Sequence, residues 1–317
     1  MLTAERLDAA RRVVGEHISP TPAYRWPMLE DHTGTETWVK HENHTPTGAF
    51  KVRGGLVHVA ALASAGNVGG LISATRGNHG QSLAFAGAAH QIPVVIVVPR
   101  GNSPAKNASM VSWGAELVEQ GGDFQEANEH ASSLAESRGL RKVPAFHADL
   151  VTGVATYADE LHRQVSELDT IYVPVGMGSG ICANIAVRDL LGLHTEIVGV
   201  VSEHADCIAR SFAAGRAVST PTADTFVDGV ACRTPDPAAV AVIVRGAARI
   251  VAVSDTAVEV AMRVLWHGTH QMPEPAGAIA LAGLLLEQDQ APGKRVAVVM
   301  TGGNCDDDLV HRVLGRS

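Results

Sequence analysis

Cysteine is scarce in this chain, and its four residues are widely spaced: Cys182, Cys207, Cys232 and Cys305. No two of them form a CxxC pair, which excludes a zinc knuckle or a dithiol redox motif and favours reduced, mostly buried thiols. The 15 histidines include no HExxH spacing. The sequence therefore predicts no structural metal.

Long hydrophobic runs and basic clusters are also missing. The apolar stretch at residues 92–98 is far too short to cross a bilayer. Residues 1–7 indicate the start of an amphipathic helix and lack the apolar core of a signal peptide. With a net charge of −8, nucleic acid and anionic membranes are poor partners. We therefore expect a soluble, cytoplasmic protein.

The composition is that of a globular α/β protein. Of its residues, 46% are apolar and 18% are charged. Its length of 317 residues is enough for about two lobes. Apolar, β-branched runs predict buried strands at residues 70–73, 94–98, 170–175, 196–201 and 295–300. Helical patterns lie between them, at residues 105–115, 123–137, 156–167 and 256–267. This alternation predicts βαβ units with parallel sheets covered by helices. No linker separates two halves, so a cleft between the lobes is the expected ligand site.

One lysine stands after a turn rich in Pro and Gly and before an apolar helical pattern, at residues 44–55. An amine that is partly desolvated near a helix N-terminus loses stability as an ammonium, and becomes a usable nucleophile or base. Taken alone, Lys51 is better explained as a solvated surface residue, since that is what a lysine after a turn usually is. Its interpretation depends on other segments.

A glycine-rich turn follows the predicted strand at residues 170–175 and precedes a helical pattern. Its residues Gly176, Met177, Gly178 and Ser179 can bring backbone N–H groups to a phosphate at the helix N-terminus. The turn lacks GxxxxGK[ST], and Ile181 breaks the GxGxxG spacing. The alternative is an ordinary tight turn between strand and helix.

Two further polar segments follow predicted strands. Seven of the ten residues in SATRGNHGQS (73–82) have polar side chains, a density typical of a ligand-facing strand end. Its alternative is a loop that caps the helix beginning near Gln81. The segment TGGN (301–304) follows the last predicted strand and, taken alone, is a turn.

Five segments in order resemble a known family: PTGAFKVRGG (46–55), TRGNHGQS (75–82), PVGMGSGI (174–181), EPAGA (274–278) and TGGN (301–304). They are similar to fold-type II pyridoxal-phosphate enzymes, and most similar to the serine/threonine dehydratase branch, which includes serine racemase-like proteins. The resemblance covers nearly the whole chain. It implies a tryptophan synthase β-like fold of two lobes, each with a mostly parallel sheet flanked by helices. The cofactor would lie in the cleft.

The resemblance also implies domain bounds and residue roles. Residues 1–46 and 148–317 would form the large cofactor-binding domain and residues 47–147 the small domain, with no C-terminal regulatory domain. Lys51 would bind the cofactor covalently and act as the base at Cα. The other implied cofactor residues are Phe50 at the pyridine ring, Asn78 at the ring hydroxyl, Gly176, Met177, Gly178 and Ser179 at the phosphate, and Thr301 at the pyridine nitrogen. Substrate would be held by Thr75, Arg76, Gly77, Asn78 and His79.

The sequence departs from the family pattern in two places. Ala49 replaces a serine before the Phe-Lys pair. Arg76 replaces the serine that serves racemase-type members as a base on the opposite face of the cofactor. Because an arginine stays protonated, racemisation is not expected. Arg76 can instead meet a second carboxylate or a polar β-substituent of the substrate, or form a structural ion pair at the cleft edge.

Metal-dependent relatives have a Glu-x-x-x-Ala-x-Asp pattern after the fourth strand. Here Glu203 is followed by Cys207 and Ala209 at the alanine and aspartate positions. A one-residue gap would bring Asp206 close, so a bound cation stays an open alternative, and no required metal is predicted. Glu274 lies near the cofactor in relatives, although ordinary helix N-terminal chemistry explains a Glu before Pro275 almost as well.

The predicted function is that of a pyridoxal-phosphate-dependent dehydratase, or ammonia-lyase. It would convert a β-hydroxy amino acid such as L-threonine or L-serine to a 2-oxo acid and ammonia. The alternatives are a dehydratase for a polar or acidic substrate such as 3-hydroxyaspartate, a β-replacement synthase or racemase on the same scaffold, and a non-catalytic amino-acid sensor. Relatives are commonly dimers, so a homodimer is expected.

Overall fold

The computed structural model describes residues 2–66, 68–290 and 293–315 of the chain. They form ten strands: β1 (Ala23–Arg25), β2 (Glu36–His41), β3 (Leu71–Ala74), β4 (Val94–Val98), β5 (Glu116–Glu119), β6 (Arg141–Lys142), β7 (Thr170–Pro174), β8 (Glu196–Ser202), β9 (Arg249–Val253) and β10 (Arg295–Met300). The helices are α1 (Ala4–Gly15), α2 (Pro27–Thr33), α3 (Lys51–Ala65), α4 (Asn78–Ala89), α5 (Pro104–Ser112), α6 (Phe124–Arg138), α7 (Ala148–Gln164), α8 (Ser179–Leu190), α9 (Cys207–Ala214), α10 (Pro237–Gly246), α11 (Asp255–Thr269), α12 (Pro275–Leu286) and α13 (Asp307–Leu314).

The strands form two sheets with helices packed against them. The six-stranded sheet has the order β1-β2-β10-β7-β8-β9, and only the β1–β2 pair is antiparallel. The four-stranded sheet has the order β5-β4-β3-β6 and is parallel throughout. Every residue of β4 and β7 is buried, as strands without polar alternation require. The predicted α/β architecture is confirmed.

The smaller sheet comes wholly from residues 71–142, which lie inside the predicted small domain of residues 47–147. The exact domain bounds stay a prediction.

In the ranges that the structure describes, none of the helices has both the length and the apolar character needed to cross a membrane.

Several apolar strands were predicted well, but the apolar strand β9 and the more polar elements were not. Residues 94–98 and 295–300 coincide with β4 and β10. The prediction missed β2, in whose sequence ETWVKH four of the six residues are polar. It also placed the start of α7 eight residues late, at residue 156, because threonines and Gly153 interrupt its first turns.

A buried ionic network explains why β2 can hold charged residues. Arg53 and Glu42 are fully buried, with 2.7 Å between Arg53 Nε and Glu42 Oε2. Glu160 accepts from Arg53 Nη1 at 2.7 Å and from Lys40 Nζ at 2.9 Å. Burial opposes ionisation of Glu160, but Arg53 and Lys40 outweigh it and hold the pKa of this carboxyl below its usual value. The network ties β2, α3 and α7 together.

Glycines bring α3 and α7 into direct backbone contact. A Cβ on Gly153 of α7 would lie 2.2 Å from the carbonyl oxygen of Arg53, and one on Gly54 would lie 2.8 Å from that of Leu150. Any side chain at these positions would therefore push the helices apart. The contact fixes α3, which begins at Lys51, against the core.

Candidate active site

The predicted site segments follow the carboxyl ends of parallel strands. Thr75 follows β3, Gly176 lies just beyond β7, and Thr301 follows β10. The loop after β2 leads to Lys51 at the start of α3. In open α/β sheets this edge is where ligands bind.

Backbone pairing holds the lysine segment against the loop after β10. Phe50 N donates to Thr301 O at 3.0 Å, and Gly303 N donates to Gly48 O at 2.9 Å. Ala49 and Gly302 form an antiparallel bridge between these two bonds. The pairing places Lys51 beside Thr301, although the two residues lie near opposite ends of the chain.

Lys51 is the first residue of α3, and few neighbouring groups stabilise the positive charge of its amine. Its Nζ lies 4.9 Å from the centroid of the Phe50 ring. We find no hydrogen bond or ion pair of this Nζ with the described part of the chain. Burial lowers the pKa of Lys51, and the nearby Glu274 carboxylate only partly opposes this. Such an amine is a better nucleophile and base than a solvated lysine.

Glu274 belongs to a series of side-chain hydrogen bonds that sequence reasoning missed. Asn78 Nδ2 donates to Glu274 Oε1 at 2.6 Å, and Asn304 Nδ2 donates to Asn78 Oδ1 at 2.8 Å. Burial raises the pKa of Glu274, although Lys106 and Asn78 act against the rise. The carboxylate makes no capping bond to α12. Helix N-terminal chemistry therefore does not account for this residue, and its contacts lie within the predicted site.

Four helices begin at site residues without a capping side chain: α3 at Lys51, α4 at Asn78, α8 at Ser179 and α12 at Pro275. Capping side chains are present at the N-termini of α1, α5, α6, α7, α10 and α11, while α2, α9 and α13 also lack them. Uncapped N–H groups carry a partial positive charge. They suit an anionic ligand such as a phosphate or a carboxylate.

The glycine-rich turn between β7 and α8 requires its glycines. Gly178 has φ of +96°, and a Cβ on Gly176 would lie 2.6 Å from Gly229 O. Tyr157 connects this turn with the lysine segment. A Cβ on Gly180 would lie 3.5 Å from the Tyr157 hydroxyl, and the Tyr157 ring packs edge-to-face on Phe50 with 6.0 Å between centroids.

Thr301 is buried directly after β10. Its hydroxyl donates to Ala276 O at 3.1 Å, in the first turn of α12. The bond orients the hydroxyl and leaves its oxygen able to accept a hydrogen bond from another group.

In the segment from Thr75 to His79, two side chains have polar atoms that are unpaired among the described residues. Thr75 Oγ1 accepts from Gly77 N at 3.1 Å, which shapes the turn. Arg76 is exposed and has no ion pair among the residues described, so the structure does not support a structural ion pair here. His79 Nε2 is buried without a hydrogen-bond partner in the same residues. Burial lowers the pKa of His79 to about 3, so this imidazole is neutral at pH 7.

Two clefts differ in their position on the sheet. One is lined by Glu274, Asn304, Lys106 and Asp228, beside the predicted site. A wider one lies at the amino ends of β7 and β8, near Asp169 and Glu196, and contains none of the predicted site residues. Ligands of parallel sheets bind at the carboxyl ends. The cleft beside Glu274 is therefore the better candidate.

The residues present fit the cofactor that the resemblance implies. Pyridoxal phosphate needs a free amine, and Lys51 supplies one that forms no ion pair with the residues described. It also needs an anion site, and the glycine turn with the uncapped α8 offers N–H groups in a conformation that only glycine adopts easily.

Comparison with known proteins agrees with this fit. The model of a family described as pyridoxal-phosphate dependent enzymes matches residues 14–302. The chain is 30% identical over 301 residues to the L-threo-3-hydroxyaspartate ammonia-lyase of Saccharomyces cerevisiae, covering 95% of this chain and 92% of that protein. It is 32% identical to the biosynthetic L-threonine dehydratase of Salmonella typhimurium over 307 residues, 95% of this chain but only 59% of that protein.

A solved structure shows the same fold. The processed form of threonine deaminase isoform 2 from Solanum lycopersicum superimposes with a TM-score of 0.90 at 25% identity, covering 99% of this chain and 94% of that one. The family match extends over most of the chain, from within α1 to the residue after Thr301. The chain therefore belongs to the family of pyridoxal-phosphate-dependent enzymes.

Proposed function

We propose that this protein is a dehydratase that converts a β-hydroxy amino acid such as L-threonine or L-serine to a 2-oxo acid and ammonia. The observation that carries the proposal is the amine of Lys51, which has no hydrogen bond or ion pair among the described residues and lies near the Phe50 ring and the Glu274 carboxylate. The names of the yeast and Salmonella relatives support the same reaction class.

Each step of the reaction has a residue suited to it. Bound pyridoxal phosphate supplies an electron sink that makes the substrate Cα proton acidic. Lys51 would hold the cofactor through its amine and, once the substrate amine takes its place there, would accept the Cα proton. The β-hydroxyl would leave as water, with its proton supplied by Lys51 or by the phosphate group. The enamine that is released takes up one water and yields the 2-oxo acid and ammonia.

We further propose which residues hold the two ligands. Gly176, Met177, Gly178 and Ser179 bind the phosphate through backbone N–H groups at the start of α8. Phe50, Asn78 and Thr301 surround the ring of the cofactor. The substrate carboxylate is held by the start of α4, with Thr75, Gly77, Asn78 and His79. The uncapped N-termini of α4 and α8 support both assignments.

A product assay tests the reaction. With L-threonine or L-serine and no added nucleophile, the purified protein should release 2-oxo acid and ammonia in equal amounts. Product that appears only with a second nucleophile would identify a β-replacement synthase, and D-amino acid without ammonia would identify a racemase. A colourless protein that borohydride does not change would indicate a non-catalytic sensor.

Arg76 favours a second candidate substrate class, the acidic β-hydroxy amino acids. The guanidinium is exposed and unpaired within the described residues, next to the segment proposed to hold substrate. It can pair with a second carboxylate, as on 3-hydroxyaspartate. One relative is named as an ammonia-lyase for that compound.

Replacement of Arg76 by serine should therefore change substrate preference. A lost charge-assisted bond of about 1.5–3 kcal/mol lowers kcat/KM for 3-hydroxyaspartate by about 10- to 100-fold relative to L-threonine. Steady-state kinetics on L-threonine, L-serine and 3-hydroxyaspartate measure this ratio. Arg138→Ser on the exposed face of α6 is the matched control. If the three kcat/KM values keep their ratios in Arg76→Ser, Arg76 has no role in substrate choice.

We also propose that the enzyme acts in the cytoplasm as a homodimer. Met28 of α2 and Trp266 of α11 expose apolar side chains, and these two helices pack against each other. Such neighbouring apolar residues suit a subunit interface. Light scattering of the purified protein measures the oligomeric state.

A further inference from the structure

Three side chains that the proposed reaction does not use meet where α3 crosses the start of α7. His58 lies on α3, His147 caps α7, and Asp149 lies in the first turn of α7. Asp149 Oδ2 is 3.5 Å from His58 Nδ1 and 3.4 Å from His147 Nδ1. One potential ligand atom from each residue lies within 4.8 Å of the other two.

One nitrogen of the buried His58 ring, Nδ1, has no hydrogen-bond partner among the described residues. The residue is only 5% exposed, and its Nδ1 makes no hydrogen bond to any residue that the structure describes. The Asp149 carboxylate lies close to it without the geometry of a bond. Burial lowers the pKa of His58, and His147 lowers it further against the effect of Asp149. A neutral imidazole with a free nitrogen is the form that binds a metal ion.

The spacing of the nitrogen and oxygen atoms matches that of ligands on one metal ion. Two ligands that bind zinc at about 2.0–2.1 Å in a tetrahedron lie roughly 3.3–3.4 Å apart. The two measured separations to Asp149 Oδ2 are close to this value. Arg6 Nη2 lies 3.2 Å from the other oxygen, Asp149 Oδ1. It would orient the carboxylate while leaving Oδ2 available.

His147 determines how a metal ion reaches the cluster, and it also has a hydrogen bond with which the metal would compete. Its side chain is 43% exposed, so an ion and a water ligand can reach the cluster from solvent. Its Nδ1 accepts a hydrogen bond from Asp149 N at 3.2 Å. A metal at this nitrogen would replace that bond, which makes the site weaker than one formed by free ligands alone.

We propose that His58, His147 and Asp149 form a binding site for a divalent first-row transition metal, Zn²⁺ being the best match. Two imidazoles and one carboxylate with an open fourth position are a known zinc ligand set. A bound ion would link α3, which begins at Lys51, to α7. The site is separate from the cofactor residues, and the proposal does not depend on the substrate.

Metal titration of the intact, cofactor-loaded protein tests the site. After treatment with a chelator and removal of the chelator, Zn²⁺ is titrated by calorimetry and Co²⁺ by visible absorption. We expect one equivalent to bind, and the melting temperature to rise with Zn²⁺ concentration. His147→Ala and His58→Gln should each weaken binding at least 10-fold. His32→Ala, which removes an exposed histidine of α2, should bind like the parent.

Several results would overturn the proposal. They are the absence of saturable binding, unchanged affinity in both cluster variants, or a Co²⁺ spectrum with the strong charge-transfer bands of thiolate ligands. Because His58 is buried, His58→Gln can fail to fold. His147→Ala changes a largely exposed side chain, and its melting temperature without metal shows whether the fold is intact, so the test remains decisive.

Discussion

Replacing Lys51 by alanine should abolish turnover and remove the visible absorption of the covalently held cofactor. The amine is the only group proposed both to hold the cofactor and to move the Cα proton. Loss of a positioned acid–base group costs about 10²- to 10⁴-fold in rate, and loss of the covalent attachment adds to this. We therefore expect kcat to fall at least about 10³-fold, measured by ammonia release from the preferred substrate.

A second readout separates loss of chemistry from loss of structure. Borohydride treatment followed by peptide mass analysis should place the cofactor on Lys51 in the parent and on no peptide in Lys51→Ala. Lys142→Ala, which removes a lysine from β6 that bonds Ser132, should keep both activity and labelling. Turnover at the parent's rate in Lys51→Ala would disprove the proposed mechanism.

Replacing Arg53 by leucine should cause the largest loss of stability. The change leaves the carboxylates of Glu42 and Glu160 buried, with Lys40 as the remaining cation of the network. Removing one partner of a buried ion pair costs about 3–5 kcal/mol. The free energy of unfolding in urea should fall by this amount, and the melting temperature by roughly 5–8 °C for a chain of this size.

An exposed ion pair provides the control for Arg53. Arg138 and Glu116 are 2.7 Å apart, but both side chains are about half exposed. Arg138→Leu should therefore cost less than about 1 kcal/mol. Equal losses in Arg53→Leu and Arg138→Leu would show that burial of the network contributes nothing. Arg53→Lys, which keeps the charge but loses the planar fork, should lie between the two.

The sequence predicted those elements whose signal is local. Strands β4 and β10 are uninterrupted apolar runs, and the turn at Gly176 shows the strand, glycine and helix pattern directly. The segments with Lys51 and Thr301 were found through their resemblance to a family. Neighbouring residues were sufficient for the strands and the turn, whereas the Lys51 and Thr301 segments required the resemblance.

The elements that were missed depend on partners far away in the chain. Strand β2 contains Lys40 and leads to Glu42. In the sequence these charged residues indicate a solvated surface, but in the structure they pair with Glu160 and Arg53. The bond from Asn304 to Asn78 joins two loops that no periodicity connects. His58 and Asp149 likewise meet only through the crossing of α3 and α7. Long-range polar pairing of this kind leaves no local pattern.

The bridge between Ala49 and Gly302 has a consequence for how the enzyme folds. It joins residues about 250 positions apart in the chain, and β10 pairs with β2 on one side and β7 on the other. Closing so long a loop has a high entropic cost, and topologies rich in such contacts fold slowly. During synthesis, Lys51 emerges early and can meet Ser82 of α4, but the contact of its segment with Thr301 forms only after β10 has left the ribosome. The proposed cofactor site is therefore completed late in folding.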